Sequence, residues 1–90
     1  MQENRYTCPC CGYKTLLSSP GHYDICPICF WEDCPIQRED VDYDGGPNHV
    51  SLRQAQKNYR EFGACERDMI KHTSKPSKSD VRDPEWQPLT

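Results

Sequence analysis

Two periodicities run along the chain. Leu52, Ala55, Tyr59 and Phe62 recur at spacings of three, four and three, which gathers apolar groups on one side of a helix. Arg53, Gln56, Lys57, Arg60 and Glu61 fall on the other side. Ser51 followed by Gln54 has the form of a capping box, and Gly63 supplies a stop, so the pattern predicts a main helix over about 52–62. Its apolar stripe has to cover something, and Tyr13, Leu16, Ile25 and Trp31 are the expected partners. Upstream, Tyr13 to Leu17 is β-leaning, Ser18 to Gly21 is turn chemistry, and His22 to Ile25 leads back; together they read as a β-hairpin. Residues 64–72, with Met69 and Ile70, leave room for a short second helix. Beyond Lys71, three prolines among Ser, Lys and Asp predict an extended or poorly ordered tail over 73–90, in which Trp86 is the residue suited to docking.

Composition changes this picture by showing that the core is too small. Leu, Ile, Val and Phe number 13 of 90 residues, below the ~20% at which chains begin to resemble disordered ones. Seven cysteines bring the chain close to the ~8–10% that marks a cross-linked or metal-bound scaffold. An odd count fits a secreted disulfide framework poorly. The longest apolar stretch is a few residues, so neither a membrane span nor a secretory signal is predicted and a reducing, cytoplasmic location is expected.

Six of the cysteines fall between residues 8 and 34, where Cys8-Pro9-Cys10-Cys11 and Cys26-Pro27-Ile28-Cys29 repeat a Cys-Pro-x-Cys element with fourteen residues between. Two residues between cysteines let both sulfurs face one cation, and two such turns complete a tetrahedron. Gly12 supplies the positive φ that closes the first turn at little cost. Phe30 stands at the matching place in the second, whose geometry is therefore expected to differ. The fold class that follows is small α+β: a zinc-ribbon or rubredoxin-like β-hairpin with two metal turns, then the main helix. It is organised as one zinc-stabilised domain over 1–72, with a metal ribbon at 6–34, an acidic connector at 35–49 and a helical part at 50–72. Cys8, Cys11, Cys26 and Cys29 are the expected ligands of one ion, zinc or alternatively iron, since four-sulfur sites accept either. Cys10 cannot replace a neighbour without breaking the spacing and is expected as a free thiol on the outer side of its turn. Cys34 reads as a small buried group and Cys65 as a packed helix residue.

The acids add a weaker candidate. Asp40, Asp42, Asp44 and Gly45 reproduce the front of a calcium loop, but the twelfth position is Ser51 rather than an acid and Pro47 interrupts it, which leaves a solvated connector. His49, in the turn before the helix, is the one imidazole placed to act with Glu32, Asp33, Asp40, Asp42 and Asp44, provided that they converge. A lone His in such a turn more commonly orders the loop. Trp31, Glu32 and Asp33 beside Asn48 and His49 form the expected partner surface, an aromatic patch in an acidic rim, set against the plainer reading that Trp31 is core.

The strings Cys8 to Leu16, Tyr23 to Asp33, and Gly45 to Leu52 with Asn58-Tyr59-Arg60 and Phe62-Gly63 resemble the cysteine-rich CPCC family of small, mostly bacterial proteins, over roughly residues 6 to 65. The resemblance implies bacterial origin, metal-bound cysteines and a shared helix after the Gly-Gly-Pro-Asn turn; it brings no activity with it. Where the family often reads Trp-Glu-Asp-Asp, this chain has Cys34 after Asp33, which weakens any role built on a third acid there.

The net charge of −3, arising from −5 before residue 51 and +2 after it, disfavours nucleic acid; the basic helix face at Arg53, Lys57 and Arg60 is its sole support. A filled four-sulfur site is structural rather than catalytic. The expected function is accordingly a non-catalytic, zinc-stabilised module binding another macromolecule, expected to be a protein. A rubredoxin-like iron electron carrier and a metal-dependent enzyme using His49 are the alternatives.

Overall fold

The computed structural model describes residues 5–89; the first four residues of the expected domain and Thr90 of the tail lie outside them. The fold is small α+β. β1 (Tyr6–Thr7) and β2 (Lys14–Leu16) pair antiparallel on either side of the first Cys-Pro-x-Cys turn. Within that turn the Cys8 N–H donates to the Tyr13 carbonyl at 2.9 Å and the Gly12 N–H to the Cys8 carbonyl at 2.9 Å. The second turn repeats the scheme, Cys26 N–H to Trp31 at 2.9 Å and Phe30 N–H to Cys26 at 2.8 Å, with Ile25 bridging Glu32.

This corrects the expected hairpin. Residues 13–17 do not pair with 22–25; each cysteine turn is itself the reversal of a hairpin, so each flanking segment finds its nearest antiparallel neighbour across its own turn. The second turn also matches the first more closely than expected, because Phe30 adopts φ 68° where Gly12 has φ 82°. A side chain in that region costs about 1–2 kcal/mol. Phe30 is held there by its N–H bond to Cys26 and by a stack on His72, with ring centroids 4.9 Å apart.

The connector is not simply a solvated run. It contains α1 (Pro35–Glu39), opened by a proline in its first turn, and α1 buries Gln37. The Gln37 amide donates to the carbonyls of Tyr43 at 3.0 Å and Val50 at 2.9 Å, and its oxygen accepts from Asn48 Nδ2 at 2.8 Å. Asn48 in turn copies a strand: its Nδ2 donates to Glu32 O at 2.7 Å while its Oδ1 accepts from Glu32 N at 2.9 Å. The Gly-Gly-Pro-Asn turn thus plugs the open edge of the second cysteine hairpin. At Gly46 a Cβ would lie 2.7 Å from the Gln37 amide, which explains a glycine there.

α2 (Leu52–Phe62) has the predicted bounds, with Ser51 Oγ accepting from Gln54 N at 3.1 Å and Gly63 at φ 81° closing the end. Half of the capping box forms, since the Gln54 amide turns to Asn58 instead. The buried stripe is Leu52, Ala55 and Gln56, with Tyr59 partly buried. It packs with Leu16, Trp31 and Tyr13 but not Ile25, which is 47% exposed. Gln56, expected outside, faces inward because its amide donates to the Pro9 carbonyl at 2.8 Å and accepts from Leu89 N at 2.7 Å.

The second helical segment is a single 3₁₀ stretch, Arg67–His72. The far part of the tail is docked rather than free. Lys14 N donates to Val81 O and Asp83 N to Gly12 O, both at 2.8 Å, and the Trp86 indole donates to Pro9 O at 3.0 Å. The ring lies against Gly12, where a Cβ would come within 2.5 Å of it. Trp86 was the residue suited to docking, and the tail follows it onto the first cysteine turn.

Replacing Asn48 by Ala leaves part-buried backbone groups of Glu32 and the buried Gln37 amide oxygen without this partner, so N48A is expected to lose about 3 kcal/mol of stability. Denaturant unfolding of the two proteins checks this; an unchanged midpoint would show that the edge needs no plug.

Candidate metal centre

The two turns face each other and bring Cys8, Cys11, Cys26 and Cys29 together, all four sulfurs within 4.8 Å of one another and all four residues buried. Cys8 Sγ lies 3.5 Å from Cys29 Sγ, and Cys11 Sγ 3.7 Å from Cys26 Sγ. These are contacts between free thiols, one from each turn. A tetrahedral ion with metal–sulfur bonds of about 2.3 Å needs sulfur–sulfur edges of about 3.8 Å. Two opposite edges of the cluster already have that length, so the donor set fits a four-coordinate ion. All-sulfur donors favour zinc or iron over magnesium or calcium. No other group of three or more Cys, His, Asp or Glu among the described residues is close enough to share an ion.

The cluster is dry. Burial pushes the Cys8 and Cys29 thiols up from their ordinary value. Cys11 and Cys26 share a hydrogen bond, which raises Cys11 and lowers Cys26. The Thr15 hydroxyl also donates to Cys26 Sγ, at 3.0 Å. α2 covers the cluster, and burial, reinforced by Cys11, raises the Tyr59 phenol.

The three remaining cysteines stay outside the foursome. Cys10 is buried rather than on the outer side of its turn, with its side chain against Cys29. Cys34 is buried just ahead of α1. Cys65 is buried in the segment after α2, not in a helix; its N–H donates to Cys29 O at 2.8 Å and its carbonyl accepts from Asn58 at 2.9 Å. Burial raises its thiol as well.

The expected partner surface does not form. Trp31 is 0% exposed in the centre of the core, and Asp33 and Asn48 are buried. Asp33 accepts from Gly21 N at 3.0 Å and from Arg38 Nε at 2.5 Å, and Arg38 also reaches Thr7 O. The Trp-Glu-Asp string is thus an internal strut, for which a chain so poor in large apolar residues has more use than for an exposed anchor. His49 does project, with 77% of its side chain exposed, but its Nδ1 faces Glu66 at 3.3 Å and its N–H donates to Glu66 at 3.0 Å. Glu66 escaped the sequence reading because it lies beyond α2, 17 residues away. Three of the five acids weighed with His49 are occupied elsewhere: Asp33 with Arg38, Asp42 with Arg53 at 2.7 Å, and Asp40 with the Asp42 N–H at 3.2 Å. Neither the enzyme constellation nor a calcium loop assembles among the described residues.

The family model described as Cysteine-rich CPCC matches residues 6–80 of the chain. No curated protein matches it.

The raised thiols set the sign of the pH dependence. Burial raises Cys8 and Cys29, and an ion that binds thiolates must displace the protons of its ligands, so affinity rises with pH and falls as acid is added. The apparent association constant is expected to climb steadily between about pH 6 and 8 as ligand protons are released, read from competition with a chromogenic chelator. A flat profile would contradict the assignment of these protons.

Proposed function

The chain belongs to the cysteine-rich CPCC family, and from that premise and the four-sulfur cluster we propose a non-catalytic, zinc-stabilised module of zinc-ribbon type. The observation that supports it most is the convergence of Cys8, Cys11, Cys26 and Cys29 at tetrahedral spacing under α2. Bound there, zinc would supply cross-linking: one ion tied to two turns and, through them, to both hairpins. Four protein sulfurs fill its coordination shell, which leaves no position for water or substrate.

The role of such a module is to hold a surface for a partner. A protein suits it better than nucleic acid, since the net charge is −3 and Arg53, part of the basic helix face, is already paired with Asp42. The surface in use lies away from Trp31, which is core. Iron in the same four ligands would make the protein an electron carrier instead, and colour separates the two, because ferric four-thiolate protein is red and zinc protein is colourless.

Native mass spectrometry of protein purified from its own host is expected to show one zinc per chain. C8S and C26S should lose it, while C10S, C34S and C65S retain it. Chelation is expected to collapse the dispersed amide spectrum, since structural zinc contributes on the order of 10 kcal/mol to small domains. Retained dispersion after complete metal removal would show that the core holds by itself.

A further inference from the structure

Resting on the metal reading above, we infer that Thr15 is a positioning residue of the centre, whose hydroxyl holds the Cys26 sulfur in place and draws charge from it. Thr15 sits in the middle of β2, 7% exposed, and its Oγ1 lies 3.0 Å from Cys26 Sγ. The bond crosses from the strand after the first turn to the first cysteine of the second turn, eleven residues on. It therefore links the two halves of the cluster by a route that uses neither the ion nor α2.

Its chemistry differs from that of the thiol contacts. Cys8···Cys29 and Cys11···Cys26 join groups that all become thiolates on an ion, and their S–H donors then vanish. The threonine proton stays. A hydroxyl facing a buried thiolate makes a charge-assisted hydrogen bond, which stabilises the anion that the ion requires and lowers the electron density that sulfur donates to the metal. β-Branching adds aim: buried within a strand, the Thr15 side chain has restricted χ1 freedom, so the donor is oriented before the ion arrives. Cys26 is thereby given a hydroxyl donor of its own.

Cobalt(II) titration tests this in the full chain, because its thiolate-to-metal charge-transfer bands report sulfur donation directly and zinc competition reports affinity. T15V keeps the shape and removes the donor. It is expected to bind cobalt and zinc about 10- to 100-fold more weakly and to move the charge-transfer band to lower energy, while T15S, which restores a hydroxyl, keeps the wild-type band. A T15V protein with wild-type affinity and band overturns the inference. So does a T15S protein that behaves as T15V, since packing of the methyl group would then be the cause. Absence of cobalt bands in the wild type overturns the metal reading itself, and the role of Thr15 with it.

Discussion

Four sulfurs converge in a dry pocket, and the rest of the molecule is arranged around the constraint that this imposes. Thiolates at such distances repel one another, and burial makes the repulsion worse. The chain answers in two ways. Without a cation, burial raises the Cys8 and Cys29 thiols and favours protonated sulfur; with one, the same positions would become a tetrahedron. Each turn places its cysteines by the same two backbone bonds, so the spacing of the ligands is fixed by local geometry before the turns meet.

A structure with so few large apolar side chains needs other means of joining its parts, and it uses polar ones. Asn48 pairs with the Glu32 backbone as a further strand would, Gln37 gathers the connector carbonyls, and Asp33 ties Gly21 to Arg38. Gln56 and Trp86 converge on the Pro9 carbonyl, which draws α2 and the tail onto the first turn. Buried networks of this kind are stable only when every member is satisfied. Among the described residues the Trp31 indole N–H is the exception, finding no partner there; a net penalty of about 1–3 kcal/mol follows, which the burial of that large ring offsets.

The same economy decides what is left for function. Residues that looked available, Trp31 and Asp33 above all, are consumed in holding the fold. Those that remain accessible, such as His49 with Glu66 or the outer face of α2, surround a centre with no open side. In the proposed reading, four protein sulfurs fill the shell of an ion bound there, and the surface is left to meet a partner.

The local features were legible along the chain. The four-cysteine spacing named the cluster, and Ser51, the apolar stripe and Gly63 bounded α2, because turns, caps and helix faces depend on residues within a few positions of one another. The strand pairing, the burial of Cys10, Gln56 and Trp31, the pairing of His49 with Glu66 and the docking of Trp86 were decided by the tertiary structure. Each joins residues far apart along the chain or chooses between two faces that composition leaves equivalent. Trp86 reaches Pro9 across 77 residues, and Gln56 turns inward because a carbonyl awaits it there. The physical reason is that local rules fix backbone shape at low entropic cost, whereas which side chain meets which distant carbonyl depends on how all the elements close together.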